Sequence, residues 1–209
     1  MYRFPIFYAK ISMNQSLPLV FGFATTPLEL ISFLLALITV ALNIRQVHWA
    51  WLFSILSSGL YALVFFDVRL YGDMGLQVVF ILVSVWGWMQ WLRGTSTDTA
   101  LQVTRLSNVE CWWSALASLI LFTLLYFFLR FYTDTDVPAA DGLLTAGSLL
   151  GQVLLSRKKL ENWTIWIIVD VLYVALYLYK NLMLTAILYA VFVVMAVHGA
   201  RVWRSACKS

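Results

Sequence analysis

One acidic side chain falls in the middle of an apolar stretch of this chain and is surrounded by aromatic residues. Trp163, Trp166, Tyr173 and Tyr177 recur around Asp170 at spacings of three and four residues. In a helix, such spacing puts all five side chains on one face. Aromatic rings beside a carboxylate attract a flat cation, through the ring quadrupole and through the negative charge. The stripe therefore predicts a binding site for a flat cationic ligand.

Two other interpretations of this stripe are open at this point. Asp170 could be protonated or hydrogen-bonded to Tyr61 or Ser58, because polar side chains often join neighbouring helices in membranes. Trp163 could belong to the ring of aromatic residues that marks a membrane–water interface. Trp166 lies deeper in the apolar stretch, where an interfacial ring explains it less well.

Polar residues elsewhere in the apolar stretches add weaker candidates. Gln77 and Asn43 could contact a ligand, or each could form a hydrogen bond that packs two helices together. Gly147 and Gly151 form a small-xxx-small pattern, which predicts close helix packing. The sequence has no Gly-rich loop that opens a helix, no paired His and Glu at zinc spacing and no Ser, His and Asp set at compatible depths. It therefore predicts neither an enzyme nor a metal or cofactor site.

The elements that position these residues must lie in a membrane. The chain has 209 residues, of which 62% are hydrophobic and only 11% are charged, whereas an ordinary soluble domain has about 25% charged residues. The charged residues cluster between uncharged stretches long enough to span a hydrocarbon core of about 30 Å. These stretches lack the alternation of β-barrel strands, so they are predicted to be helices.

Seven membrane-spanning helices are predicted, and they place the two termini on opposite sides. The fifth is short and rich in glycine. The predicted spans cover residues 26–44, 48–66, 72–92, 110–130, 137–156, 162–179 and 181–200.

The distribution of Lys and Arg predicts the orientation of these spans. Five of the 14 basic residues (Arg3, Lys10, Arg69, Arg130 and Lys180) fall on one side, and the other nine fall on the opposite side. Short loops rich in Lys and Arg stay in the cytoplasm. We therefore expect the carboxyl terminus in the cytoplasm and the amino terminus outside. The net charge of +4 reflects this topology and does not indicate a nucleic-acid partner.

The chain also contains a weak internal repeat, which is visible when it is compared with itself at a shift of 112 residues. Weak internal symmetry is typical of transporter folds. The shift spans four helices, so the two halves have the same orientation and a single helix must lie between them. The matched pairs are Arg45 and Arg157, Trp51 and Trp163, Leu60 and Leu172, Tyr61 and Tyr173, Gly87 and Gly199, and Trp91 and Trp203.

The repeat predicts seven helices in a 3+1+3 arrangement with parallel halves related by an axis along the membrane normal. Residues 1–25 are predicted to form an interfacial segment, 26–93 the first three-helix bundle, 94–136 the linker helix with its loops, 137–204 the second bundle and 205–209 a tail. Tyr61 and Trp51, which match Tyr173 and Trp163, complete the set of predicted ligand-binding residues.

Several short blocks of this sequence are similar to the Pnu family of bacterial vitamin transporters, most closely to its PnuC-type nicotinamide riboside transporters. The resemblance covers about residues 26 to 204. It is carried by the blocks Thr26-Pro-Leu-Glu-Leu-Ile-Ser32, Tyr71-Gly-Asp-Met-Gly-Leu-Gln77, Trp86-Gly-Trp-Met-Gln-Trp-Leu-Arg93 and Glu161-Asn-Trp-Thr-Ile-Trp166, together with Asp170, Tyr173 and Lys180.

The resemblance implies a fold like that of the SWEET sugar transporters, a homotrimer and location in the bacterial inner membrane. It also implies uptake of an unphosphorylated pyridine nucleoside by facilitated diffusion, with phosphorylation in the cytoplasm trapping the vitamin. By position, Trp163, Trp166, Asp170 and Tyr173 correspond to the family's motif in span six, and Gln77 to its glutamine in span three.

The sequence thus leads to the hypothesis that nicotinamide riboside, whose pyridinium ring is a fixed cation, binds between the two halves. Relatives in the same family carry thiamine or riboflavin, so a thiamine facilitator is an alternative. A membrane scaffold that transports nothing is an alternative of another class. Its loops, however, offer little surface compared with a standard protein interface.

Overall fold

The structure is a computed structural model of the chain, and it describes residues 17–20, 23–25, 27–67, 71–96, 101–133, 135–179 and 183–207. Within these ranges the chain is almost entirely helical. Strands β1 (Leu17–Val20) and β2 (Phe23–Thr25) pair as a short antiparallel hairpin. The interfacial segment predicted over residues 1–25 falls mostly outside the described residues.

Seven helices follow the hairpin in the described part of the chain, and each overlaps one predicted span. They are α1 (Pro27–Ile44), α2 (Ala50–Asp67), α3 (Tyr71–Ser96), α4 (Asn108–Tyr132), α5 (Pro138–Ser156), α6 (Asn162–Tyr179) and α7 (Met183–Ala206). Helices α3 and α7 continue past their predicted ends, beyond Arg93 and Arg204. Long basic side chains can keep their charge in water while their stems cover apolar surface, so an arginine does not have to end such a helix.

The outer surface of the bundle is apolar, as expected for a protein whose solvent is lipid. Helices α3 to α7 each contain a segment long and apolar enough to cross a membrane. The shorter apolar segments Ile31–Ile44 and Ala50–Leu63 belong to α1 and α2. Large apolar side chains such as Leu82, Trp112 and Leu124 are exposed. The described residues thus form the predicted all-α membrane fold.

Helix α5 lies at the centre of the packing, between α4 and α6, which explains its weak apolar character. A Cβ atom added to Gly147 would lie 2.7 Å from Cγ2 of Val169, and one added to Gly142 would lie 3.3 Å from the backbone nitrogen of Tyr126. Small residues therefore let neighbouring helices approach closely. The close packing predicted from the spacing of Gly147 and Gly151 is confirmed.

The turns after α1 and α5, which the repeat matches, have the same backbone conformation. Gln46 and Lys158, 112 residues apart, both have positive φ angles, of 56° and 51°. The backbone N–H of Gln46 donates to the carbonyl of Asn43 at 3.0 Å, and that of Lys158 donates to the carbonyl of Leu155 at the same distance. The two halves thus end their first helix in the same way.

Four tryptophans that the repeat matches in pairs also pack alike. The ring of Trp51 stands edge-on to Trp91 at 5.5 Å between centroids and 89°, and Trp163 stands edge-on to Trp203 at 5.5 Å and 85°. Trp91 and Trp203 meet with their centroids 6.3 Å apart. We call the end of the bundle where these four residues lie the tryptophan end. The basic turns after α1 and α5 lie at this end.

Two of these indoles join the halves by reciprocal hydrogen bonds, which we call the tryptophan latch. Nε1 of Trp91 donates to the carbonyl of Ser156 at 3.1 Å, and Nε1 of Trp203 donates to the carbonyl of Ile44 at 3.2 Å. Each indole thereby binds a terminal carbonyl of the first helix in the opposite half, which has no partner within its own helix. The 3+1+3 arrangement in a membrane stays a prediction that these matched contacts support.

Helix α4 differs from the other helices in its lack of burial. None of its residues is buried, and it packs mainly against α5. Its start is fixed by a capping box in which the Ser107 side chain accepts from the Glu110 backbone and the Glu110 side chain accepts from the Ser107 backbone. An outlying position of this kind is consistent with the predicted linker role.

Candidate functional site

Asp170 points into the bundle and not toward lipid. Only 4% of its surface is exposed. The exposed side of α6 carries Ile168 and Val171. The carboxyl group lies close enough to Tyr173 of its own helix and to Tyr189 of α7 to interact electrostatically with both. Placing an ionisable group at membrane depth is unfavourable, so such residues usually mark functional sites.

Three tyrosine rings, which we call the tyrosine cluster, lie beside Asp170. Tyr173 and Tyr177 stack with their centroids 5.7 Å apart and an angle of 15°. Tyr189 lies 4.6 Å from Tyr173 and 5.2 Å from Tyr177. Since all three residues are half-buried, the cluster combines apolar ring faces with polar hydroxyl groups. Such surfaces can hold a cationic ring.

Side chains from α2 and α5 also reach the tyrosine cluster. Tyr61 of α2 lies near Tyr189. On the opposite side, Ser148 of α5 interacts with the phenol of Tyr173. Helices of both predicted halves therefore meet here, and Tyr61, Asp170 and Tyr173 lie around Tyr189. Their role as ligand-binding residues stays a prediction. The interhelical bond from Asp170 to Tyr61 or Ser58 stays a prediction.

Trp166 lies one turn from Asp170 toward the tryptophan end. Its indole packs on Gly151 of α5, where an added Cβ atom would lie 3.0 Å from Cε2 and 3.1 Å from Nε1. The residue is only half-buried. Trp166 thus packs on α5 and against the buried core.

Trp51 and Trp163 are packed more tightly than the sequence suggests. Their exposed fractions are 1% and 2%. An added Cβ atom on Gly87 would lie 2.5 Å from the ring of Trp51, and one on Gly199 would lie 2.6 Å from the ring of Trp163. Such burial does not fit an interfacial ring, so that alternative for Trp163 is wrong. Both side chains lie at the tryptophan end, in the buried core.

Asn43 and Gln77 lie in different surroundings. Asn43 is 7% exposed at the tryptophan end, where its backbone carbonyl accepts a hydrogen bond of 3.2 Å from Nε1 of Trp203. Its side-chain oxygen has no hydrogen-bond partner among the described residues. Gln77 is half-buried on α3, at the position that the repeat matches to Tyr189.

The sequence reasoning missed two groups of polar residues inside the bundle. One is Tyr189, which it could have found as the residue 112 positions after Gln77. The other is a hydrogen-bonded chain that joins α2, α3 and α5. In this chain, Ser54 and Ser84 share a bond of 3.0 Å, and Nε2 of Gln152 donates to Ser84 at 3.3 Å.

The residues at matched positions of the site differ between the two halves. Asp170 corresponds to Ser58 in the first half, Trp166 to Ser54 and Tyr189 to Gln77. The second half thus supplies the acid and the additional rings, and the first half supplies hydroxyl and amide groups. The backbone frame is repeated, but the chemistry of the two sides is not.

The three tyrosine rings pack against one another, with centroids 4.6–5.7 Å apart. The two cavities that the structure describes lie elsewhere, one between α4, α5 and α6 and the other beside Arg105 and Arg204. Neither is lined by Asp170, Trp166 or Tyr173. A ligand that enters between these rings must separate them.

The fold is shared with a solved structure described as the crystal structure of the vitamin B3 transporter PnuC. The two chains superpose with a TM-score of 0.69 at 21% sequence identity, over 85% of this chain and 80% of the other. This fold, with a buried acid inside an apolar bundle, places the chain among multi-pass helical membrane proteins. A family model described as nicotinamide mononucleotide transporter matches residues 26–205. The chain belongs to this family, and it is a transporter and not an enzyme.

Curated relatives agree with this family and confirm the resemblance to Pnu transporters. The chain is 22% identical to the nicotinamide riboside transporter PnuC of Escherichia coli (strain K12), over 87% of each chain. It is 28% identical to the protein of the same description from Neisseria mucosa, over 61% of this chain and 50% of that one. It is also 26% identical to the riboflavin/roseoflavin transporter RibM of Streptomyces davaonensis, over 84% and 83%.

Proposed function

We propose that this protein carries nicotinamide riboside across the membrane. The observation that supports this function best is the placement of Asp170, buried inside an apolar bundle beside three tyrosine rings. The pyridinium ring of this nucleoside is flat and carries a fixed positive charge. Ring faces and a carboxylate attract such a group more strongly at a desolvated site than in water.

The ligand contacts divide between the two halves. The pyridinium ring lies between Trp166 and Tyr173, and Asp170 balances its charge or binds a ribose hydroxyl. Gln77 and Tyr61 bind the carboxamide or the ribose from the opposite side. The remaining predicted residues, Trp51, Trp163 and Asn43, lie at the tryptophan end, where they form the base of the site.

Transport takes place by rocking of one half against the other, so that the site opens to each side in turn. It requires no ion gradient if the vitamin is phosphorylated in the cytoplasm and thereby removed from the equilibrium. The protein functions in the bacterial inner membrane with its carboxyl terminus in the cytoplasm and its amino terminus outside. It assembles as a homotrimer, which mass photometry in lipid nanodiscs would test.

A second candidate function is transport of another vitamin, because the chain is also similar to RibM. Riboflavin is flat but uncharged, so it can stack on the rings without using the charge of Asp170. Thiamine carries a cationic ring and would use both features. Competition between the three vitamins therefore distinguishes the candidates.

Uptake of labelled nicotinamide riboside into proteoliposomes without any ion gradient tests the proposal. We expect saturable uptake that stops when the concentrations inside and outside are equal. Uptake that requires a proton or sodium gradient would exclude facilitated diffusion. If thiamine or riboflavin enters and nicotinamide riboside does not, the substrate is wrong.

A further inference from the structure

A groove lies between α4, α5 and α6, away from the Asp170 site. Its volume is about 520 Å³, within the range of roughly 300–1,000 Å³ that is typical of pockets for small molecules. Apolar side chains, among them Leu119, Phe122, Leu143 and Leu150, line most of it. Because α4 has no buried residue, the groove faces the surroundings of the molecule.

One end of this groove is basic. A second cavity of about 140 Å³ shares Glu161 and Thr164 with the groove, and it is also lined by Arg105 and Arg204. Both arginines are exposed. An apolar groove thus ends in a polar cavity with two guanidinium groups, which we call the basic mouth.

The other charges near the basic mouth have partners of their own. Glu110 forms an ion pair of 2.9 Å with Lys159. The carboxylate of Glu161 accepts the backbone N–H of Leu106 at 3.0 Å. Glu161 is the one acidic residue that lines this cavity among the described residues, so two guanidinium groups face a single carboxylate. The mouth therefore keeps an excess of positive charge.

We infer that the groove binds one anionic phospholipid, with an acyl chain along α4 and the phosphate between Arg105 and Arg204. Basic pockets between membrane helices are suited to anionic lipid head groups. A second copy of this chain fits less well. In a trimer the groove of one copy would meet a different surface of the next copy, and that surface would have to supply an acidic group at this depth. The lipid neutralises the positive charge of the basic mouth.

Native mass spectrometry of the full-length protein, purified in detergent and mixed with phosphatidylglycerol or phosphatidylcholine, tests this inference. We expect one molecule of phosphatidylglycerol to remain bound to each subunit under conditions that remove phosphatidylcholine. The double variant Arg105→Gln/Arg204→Gln should bind phosphatidylglycerol roughly 30-fold more weakly, since each basic residue contributes a factor of about five. The double variant Arg45→Gln/Arg157→Gln removes the same charge from exposed positions outside both cavities, and it should bind normally.

A variant that fills the groove without changing its charge tests the apolar groove separately from the basic mouth. Ala115 lines the groove on α4 and is exposed, so Ala115→Trp should fold normally and still reduce retention of phosphatidylglycerol. Equal retention of both lipids by the wild type would overturn the inference. A second result would also overturn it: the wild type binds no lipid, and Ala115→Trp no longer forms oligomers. The groove would then be a contact between copies.

Discussion

Asp170 and the tyrosine cluster define the site at the scale of single residues. The acid is almost fully buried on a helix whose other side carries exposed aliphatic residues. The phenols of Tyr173 and Tyr189 lie close to this acid, and their ring faces can bind a cation. In the proposed site, charge and stacking act together, and substitution of single residues can separate their contributions.

Asp170→Asn should weaken binding of nicotinamide riboside by roughly 10- to 100-fold, as expected for loss of an interaction with a charged group. The reduced form of the nucleoside has the same carboxamide and ribose but no charge on its ring. Its binding should change much less. Tryptophan fluorescence titration of both ligands measures the two affinities.

Asp136→Asn is the matched control for this experiment, because it makes the same change at an exposed position in the loop between α4 and α5. It should leave both affinities unchanged. An equal loss of affinity for the charged and the neutral ligand in Asp170→Asn would show that the carboxylate shapes the site without balancing a charge.

At the scale of helices, close packing of tryptophan on glycine determines how the second and third helices of each half meet. Trp51 of α2 packs on Gly87 of α3, and Trp163 of α6 packs on Gly199 of α7. Glycine is required at these two positions because a Cβ atom would lie within 2.7 Å of the ring. The same contact at two matched places indicates that the halves share one packing scheme.

Gly87→Ala and Gly199→Ala should each lower the free energy of unfolding by about 1–3 kcal/mol, because an added methyl group overpacks the contact. Gly59→Ala is the matched control, since an added Cβ atom there meets nothing within 4 Å. It should raise stability slightly because alanine favours a helix more than glycine does. Thermal unfolding in detergent tests all three variants. A neutral Gly87→Ala would contradict the packing described for Trp51.

The turn after α5 carries a half-buried charge whose effect on stability depends on pH. Nζ of Lys158 donates to Oε1 of Gln46 at 3.3 Å and lies 4.6 Å from the centroid of the Trp91 ring. Burial lowers the pKa of Lys158 below its ordinary value of 10.5. At a pH below the folded-state pKa, Lys158 is protonated in both the folded and the unfolded chain. Burial of its charge then lowers the free energy of unfolding.

We therefore expect the free energy of unfolding to rise with pH between the folded-state pKa of Lys158 and 10.5, because the unfolded chain binds more protons in that range. Lys158→Gln should remove this contribution, whereas Lys159→Gln should keep it. Denaturation measured at a series of pH values tests the difference. A rise of the same size in Lys158→Gln would assign the effect to another group.

The helices were easier to predict from the sequence than the contacts between them. Long apolar runs predicted all seven helices, and spacing along α6 predicted that Asp170 and Tyr173 share a face. Tyr189 lies on another helix, and its place beside them depends on how α6 and α7 pack, which no spacing within one helix records. The burial of Trp51 and Trp163 was missed for the same reason, because the glycines that receive their rings lie on neighbouring helices.

At the scale of the whole molecule, the tryptophan latch joins the two predicted halves at one end. Each half contributes one indole donor and one helix end as acceptor. A rocking movement between the halves must break these bonds or turn about them. In the proposed rocking movement, the latch sets how readily the tryptophan end opens.

Trp203→Phe keeps an aromatic ring but removes the donor, so it should favour opening of this end by a factor of about five, as expected for loss of one typical hydrogen bond. Cys207 packs against the core at this end and reports opening through its rate of labelling by a maleimide. The exposed Cys111 is first replaced by serine. Labelling of Cys207 should then be about fivefold faster in Trp203→Phe.

Trp88→Phe is the control, because the indole nitrogen of Trp88 has no hydrogen-bond partner among the described residues. Its effect on the labelling rate should be small. Trp91→Phe should act like Trp203→Phe, since the two indoles make matching bonds. Unchanged labelling in both latch variants would show that the halves do not separate at the tryptophan end.

The unlike residues at matched positions of the site have a consequence for the pose of the cargo. Asp170 and Tyr189 occupy the positions that hold Ser58 and Gln77 in the first half. The two sides of the site therefore differ chemically, although the helices that carry them are related by the repeat. A nucleoside turned end for end would lose the acid and expose its charge to amide and hydroxyl groups alone. We therefore expect the nucleoside to bind in a single orientation, with its sugar toward the amino-terminal bundle, whether the site is open to the inside or to the outside.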